Sequence, residues 1–256
     1  MNTPIDEDKI GQDRRDQMLK LVSKGFYKEL VNYGVKSEEI IRVASHLLDN
    51  LINQRTAKGE AAEFYDTLFT LNDIVDQWND SQQIAVHNVS LRPLDSSLME
   101  NIVDWLGRPG VSELFVPPFP KAEADLRAHL LETPSNRYFA IHCDGQAVGI
   151  VGGENIDVAN GKMEMKKLVG DSDSRGKGVG KKATFAFLYY AFRILKTHKV
   201  YVHSRDINIR NINLNSRFGF ILEGIFLEDL RVDKTHQDVV RMALFESFWT
   251  EIFSPN

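Results

Sequence analysis

Between residues 38 and 79 apolar side chains recur every three or four positions. Ile40, Ala44, Leu47 and Leu51 step by 4-3-4, which predicts a helix over about 38–53. Ser37 ahead of Glu38 and Glu39 suits its N-cap and first turn, where carboxylates meet the positive end of the helix dipole. Ala61, Phe64, Leu68, Leu71, Val75 and Trp78 step by 3-4-3-4-3 and predict a further helix over about 60–79. Ahead of both, "FYKELVNY" places Phe26, Tyr27, Leu30, Val31 and Tyr33 in a first helical region that Gly34 punctuates. Amphipathic helices in succession form a small bundle, so residues 1–83 are expected to be an all-helical domain. The 60–79 stripe reads first as a core seam; it would also suit a dimer seam or a partner groove, which makes a homodimer one expected partner.

From about 84 the period changes. "AVHNVSLRPLD" reads as a strand and "SSLMENIVDWLG" as a helix; Pro117, Pro118 and Pro120 interrupt the chain before "KAEADLRAHLLE" resumes helix. "RYFAIHCDG", "QAVGIVGGENI" and "GKMEMKKLVG" read as three strands with turn residues between them. A helix, the strand "KVYVHSR", a short helix and two closing strands around "FILEGIFLEDL" and "DVVRMALFES" follow. Residues 84–256 are therefore expected to form an α+β domain with a mixed sheet.

Composition narrows the class. The chain has 256 residues, 43% hydrophobic and 26% charged, ordinary values for a folded protein. No apolar run approaches the roughly 18 residues that span a bilayer, and the charged N-terminus is unlike a secretory signal, so a cytoplasmic location is expected. Cys143 is the single cysteine, which excludes an intrachain disulfide and a thiolate metal cage; on a strand it reads as a buried, inert thiol. The net charge of −5 resides in the first third, where residues 1–88 carry ten basic and fifteen acidic side chains. That argues against nucleic acid as a partner.

The stretch "DSDSRGKGVGKKATFAFLYYAF" puts three glycines and four basic residues directly before a helix pattern. First-turn N–H groups lack intrahelical acceptors, and glycines let the main chain wrap an anion without a Cβ in the way, so a pyrophosphate is the natural guest. The spacing excludes the commoner phosphate loops. No Ser or Thr follows Lys181 as a G-x-x-x-x-G-K-[ST] loop requires, and G-x-G-x-G replaces the G-x-G-x-x-G of dinucleotide folds. Ala183, Ala186, Phe187, Tyr190, Ala191, Ile194 and Leu195 give the following helix a core face.

Arg175 to Gly180, RGKGVG, resembles the R/Q-x-x-G-x-G/A signature of the GNAT superfamily of acyl-CoA-dependent N-acetyltransferases. "SLRPLD" resembles the opening strand of its ribosomal-protein-alanine acetyltransferase branch, "NIRNINLNSRFGFILEGI" that branch's asparagine-bearing helix with its Gly-Phe and Glu-Gly, and "QDVVRMALF" its closing strand; Trp249 falls near a tryptophan of the branch. Amino-sugar N-acetyltransferases are similar too. The resemblance covers about 89–250, and residues 1–88 have no counterpart in it.

The resemblance implies a GNAT-type, mostly antiparallel sheet flanked by helices, and acetyl-CoA as the cofactor. It places coenzyme A pyrophosphate against Arg175, Gly176, Lys177, Gly178, Val179, Gly180 and Lys181, and the pantetheine arm against the main chain of Leu168 and Val169. Glu164 falls where relatives carry a base, although it also reads as an exposed strand glutamate paired with Lys166 or Lys162. Asn208 corresponds to the asparagine lining the cofactor site. Asn211 and Asn215 stand where a Ser or Tyr hydroxyl usually protonates the leaving thiolate, and an amide is no proton donor of useful pKa. Ser216 or Tyr201 could substitute, or the thiolate could leave unprotonated with help from amide hydrogen bonds. His142 and His203 read as structural histidines with a second reading as base. The acceptor is expected to be a primary amine: an amino sugar (nucleotide-linked in similar enzymes), a polyamine or amino acid, or a protein N-terminus, with a small molecule favoured. A non-catalytic acyl-CoA sensor and an acyltransferase fed by a carrier protein are the rival readings.

Overall fold

The computed structural model describes residues 7–32, 34–36, 39–40, 69–109, 111, 114–205, 209–232 and 235–254. Apart from residues 39–40, the helix expected over 38–53, and that over 60–79 as far as residue 68, lie outside the described residues. The first helix, α1 (Glu7–Asn32), is present and approaches the sheet at its last edge.

Nine strands form one sheet in the order β1-β2-β3-β4-β5-β6-β7-β9-β8. They are β1 (Ile74–Gln77), β2 (Gln83–Val86), β3 (Val89–Pro93), β4 (Arg137–Cys143), β5 (Gln146–Asp157), β6 (Lys162–Val169), β7 (Lys199–Arg205), β8 (Ile221–Val232) and β9 (Thr235–Phe245). Every pairing is antiparallel except β6 with β7. That exception follows from the connection: β6 and β7 are joined by a helical crossover through α4 (Val179–Tyr189), the kind of link parallel neighbours require.

Two of the expected elements differ. Residues 74–77 are strand rather than helix, because Ile74 to Gln77 pair with Val86 to Gln83. Trp78 opens a single helical turn and seats its ring 5.0 Å from that of Tyr190 and 5.9 Å from that of Phe139, so its apolar contact is made without a continuous helix. β1 thus belongs to the sheet although it precedes residue 84. The single strand expected over 85–95 is a hairpin: His87 adopts φ 53°, and Val86 pairs with Val89.

Both faces of the sheet are covered. Against one face lies α4, with Val179, Ala183 and Phe185 to Leu188 buried, joined by Trp249 and Phe253 of α6 (Glu246–Phe253). Against the other lie α2 (Met99–Gly107), α3 (Glu123–Arg127) and the helical turn that continues it to Glu132, packed through Ile102, Trp105, Leu126 and Leu130 onto Tyr138, Ile150 and Leu168. Side chains of β6 therefore alternate between two interiors: Met163 and Met165 enter the first core, Leu168 the second. None of the described helices is long and apolar enough to cross a membrane.

β5 carries an extra residue beside β4, where Ile141 opposes Gly149 and His142 opposes Ala147. Gly149 is held so close to β6 that a Cβ there would overlap the carbonyl oxygen of Leu168. Gly149→Ala is expected to destabilise the fold by roughly 1–3 kcal/mol, the cost of overpacking an ordered interior, read as a lowered denaturant midpoint with unchanged m-value.

Candidate active site

β6 and β7 pair only over Lys162–Glu164 with Lys199–Tyr201. Beyond Glu164, β6 stays bonded to β5 as far as Val169, while β7 stays bonded to β9 as far as Arg205. The two neighbours diverge, and β6 is left with an edge that β7 does not pair. A cleft of about 1080 Å³ opens there, lined by Met165 to Val169 of β6, Val202 and His203 of β7, the glycine loop, and Asn211 and Asn215 of α5 (Ile209–Arg217).

The loop closes one end of the cleft. Gly176 and Gly178 adopt φ of +80° and +79°, the left-handed region that glycine occupies without strain, and Gly178 caps α4. Chain neighbours aside, a Cβ on either would meet no atom of the described residues within 4 Å, and one on Gly180 would meet Val169 Cγ2 at 3.5 Å and Lys167 Cε at 3.9 Å. The room beside the first turn of α4 is therefore vacant space at the positive end of a helix whose far side is locked in the core. Arg175 fastens the loop to β6, its Nε donating to the Val169 carbonyl at 2.9 Å. Lys182 Nζ donates to Asn88 Oδ1 at 2.6 Å, tying α4 to the β2–β3 turn.

The residues expected from the sequence to hold the cofactor converge here with few exceptions. Leu168, Val169, Arg175, Gly176, Lys177, Gly178, Gly180 and Lys181 line the cleft together with Asn211 and Asn215. Val179 turns its side chain into the core, so only its main chain can contribute. Asn208 lies outside the described residues. The Asn215 amide is buried, and among the described residues neither Oδ1 nor Nδ2 has a hydrogen-bond partner, an orphaned polar group at the cleft wall. Ser216 is withdrawn from the site, its Oγ donating to the Ile212 carbonyl at 3.0 Å. Tyr201 and His142 do not line the cleft either. Cys143 is half-buried beside Asp144; burial and that carboxylate raise its thiol pKa, which keeps it protonated.

Lys167 was not legible as a site residue. Its Nζ reaches under the loop, donating to the Gly180 carbonyl at 3.1 Å and to Thr184 Oγ1, and burial lowers its pKa to about 8.

Below the fork, on the face that α2 and α3 cover, a line of polar side chains crosses the sheet. Glu164 is 2% exposed, which corrects its reading as an exposed strand glutamate. Its Oε1 lies 3.2 Å from His203 Nδ1 and 3.9 Å from Lys166 Nζ, and its Oε2 accepts from Asn155 Nδ2 at 3.3 Å. Lys162 pairs instead with Asp157. Lys166 Nζ lies 2.9 Å from Glu154 Oε2, while Glu154 Oε1 accepts from His129 Nε2 at 2.6 Å and from the Tyr138 hydroxyl. Farther along the same face Arg241 stacks 4.0 Å from the Tyr201 ring and pairs with Glu223 at 2.8 Å.

The sequence matches the Acetyltransferase (GNAT) domain family over residues 88–221, more than half of the chain. The chain belongs to the GNAT acetyltransferase family. Among its relatives, the spermidine N(1)-acetyltransferase of Escherichia coli K12 is 24% identical over 165 residues, 63% of this chain and 88% of that protein. The spermidine N(1)-acetyltransferase of Vibrio cholerae is 26% identical over 129 residues, 50% of this chain and 74% of that protein. A solved structure of the Vibrio cholerae spermidine/spermine N-acetyltransferase SpeG superposes with a TM-score of 0.57 at 21% identity, over 64% of this chain and 98% of that one. The protein is thus a GNAT N-acetyltransferase, and the mostly antiparallel sheet flanked by helices is the fold that its resemblance implied.

The cleft fits the group that GNAT enzymes use. Acetyl-CoA needs a pyrophosphate cradle and a slot for an amide-bearing arm; the vacant space at Gly176 and Gly178, the unpaired edge of β6 and the orphaned Asn215 amide supply them in sequence along one cleft.

The buried ion pairs set a pH dependence. Burial would raise the Glu154 pKa, yet the His129 hydrogen bond, the Lys166 ammonium and the Tyr138 hydroxyl together bring it down to about 2 from an ordinary 4.5. Its contribution to stability is complete above about 4.5 and lost as pH falls towards 2. Glu154→Gln is expected to cost on the order of 3 kcal/mol at pH 7, and the gap from wild type should narrow between pH 4.5 and 3 in urea titrations. A gap independent of pH would contradict this assignment.

Proposed function

We propose that the chain transfers an acetyl group from acetyl-CoA to the primary amine of a small molecule. The observation that carries this reading is the fork between β6 and β7, with a glycine-loop helix start at its mouth and a buried, partnerless amide on its wall. Acetyl-CoA supplies a thioester, an acyl carbon already activated towards nitrogen. The glycine loop and Lys177 hold the pyrophosphate, with α4 fixing the cradle; Lys167, beneath the loop, adds a charge that an approaching anion favours. The free β6 edge at Leu168 and Val169 binds the amides of the arm as a further strand would. Asn215 Nδ2 donates to the sulfur as it gains charge, which lets a thiolate leave without a hydroxyl acid.

The acceptor amine reaches the fork from the face bearing Glu164 and His203, beside the apolar wall of Val111, Phe115 and Val116. Glu154, Glu164 and Glu223 are matched on that face by Lys166, Lys199 and Arg241, so it sets the position of an amine rather than drawing it in by net charge. Polyamines are the acceptor class that the relatives' names support.

Free-thiol release from acetyl-CoA across spermidine, spermine, glucosamine, free amino acids and an N-terminal peptide tests the proposal. Turnover with a polyamine or another small amine, and none with the peptide, is expected; turnover with the peptide alone would overturn the small-molecule reading. Gly178→Ala should weaken coenzyme A binding about tenfold or more by calorimetry, since the added methyl enters the cradle and the residue must hold a left-handed conformation. Unchanged affinity would remove the loop from the site.

A further inference from the structure

We propose that the base of the reaction is His203, and that Glu164 is the positioning carboxylate that holds its imidazole. This rests on the acetyl-transfer reading above. Glu164 does not line the cleft, and each of its oxygens already has a donor nearby, Asn155 on one and His203 and Lys166 on the other. His203 lines the cleft, and its side chain keeps 19% of its surface exposed. A carboxylate oxygen accepts, so the contact 3.2 Å from Glu164 Oε1 is favourable when His203 Nδ1 carries the proton. The lone pair then lies on Nε2, which has no polar partner among the described residues.

Two aromatic rings pack against the imidazole. Tyr201 and Phe226 meet it edge-on, with centroids 5.5 and 5.8 Å away. The ionisable groups around it are Glu164 and Lys166 on β6, Tyr201 and Arg205 on β7, Arg241 directly opposite on β9 with its partner Glu223 on β8, and Arg217 on α5. Of these, Glu164 makes the direct contact. The position follows from topology: Glu164 is the last β6 residue paired to β7, and His203 lies two residues past its partner Tyr201, at the vertex of the fork.

In the step itself the nitrogen of a neutral amine bonds to the acyl carbon as the C–S bond breaks, the sulfur keeping the electron pair. His203 Nε2 takes the proton that the nitrogen sheds. Glu164 stabilises the resulting imidazolium through Nδ1–H. The imidazole then returns to neutrality by releasing that proton to solvent, from which the thiolate is protonated, so amide and thiol are the products and no charge is left over.

Histidine ¹⁵N spectra of the ligand-free protein, with His203 assigned from His203→Asn, should show Nδ1 protonated and Nε2 bare, and Glu164→Gln should abolish that preference. A protonated Nε2 in wild type overturns the proposal. In kinetics, kcat/KM of wild type should fall at low pH along a limb that depends on His203. His203→Asn should lower kcat/KM roughly 10²–10³-fold and remove the limb, whereas Glu164→Gln should cost about tenfold and keep it. A limb that survives in His203→Asn and vanishes in Glu164→Gln makes Glu164 the base. Failure of every amine to react would instead contradict the acceptor reading, and the tautomer in the spectra still decides the dyad.

Discussion

β6 is held along one edge by β5 as far as Val169, and β7 along its far edge by β9 as far as Arg205, yet the two pair with each other at only three positions. An unpaired strand edge inside a covered sheet leaves main-chain donors and acceptors that need partners. The fold keeps this edge open by anchoring its far end. Arg175 binds the Val169 carbonyl, Arg108 binds the Gly170 carbonyl at 3.0 Å, and Trp105 packs so tightly under Gly170 that a side chain there would collide with it. The cleft, the glycine loop at its mouth and the Glu164–His203 contact at its vertex are consequences of that divergence.

The cost of the arrangement is met by pairing charges. Glu154, Glu164 and Lys166 are all less than a tenth exposed in the middle of the sheet. Such groups persist in an interior when each has an opposite charge and hydrogen bonds, and removing one partner strands the other. His129, Tyr138, Asn155 and His203 complete the set. This polar line fixes side chains beside the fork, which suits the proposed positioning of an amine there.

Much of this was legible in the chain. The glycine run, the helix after it and the strands "RYFAIHCDG" to "GKMEMKKLVG" announced themselves by turn chemistry and period. The helical stripe through Leu71, Val75 and Trp78 misled because one tryptophan on a single turn makes the contact that a helix face would have made, while pairing with β2 takes the preceding residues into the sheet. "KMEMKK" reads as a solvent-facing alternation, but helices cover both faces, so Glu164 and Lys166 are buried. Their partners, Glu154 twelve residues before Lys166 and His203 on the next strand from Glu164, are set by register, which residue types do not disclose. For the same reason Lys167 gave no signal, and His203 read as structural until its neighbour was known.

A crystal structure with coenzyme A tests the central claim most directly. The account predicts the pantetheine arm lying along the β6 edge from Val169 towards Met165, its amides bonded to that main chain and its sulfur within hydrogen-bond reach of Asn215 Nδ2, with His203 facing the sulfur across the vertex. An arm bound outside the fork, leaving the β6 edge and the Asn215 amide without it, would contradict the account.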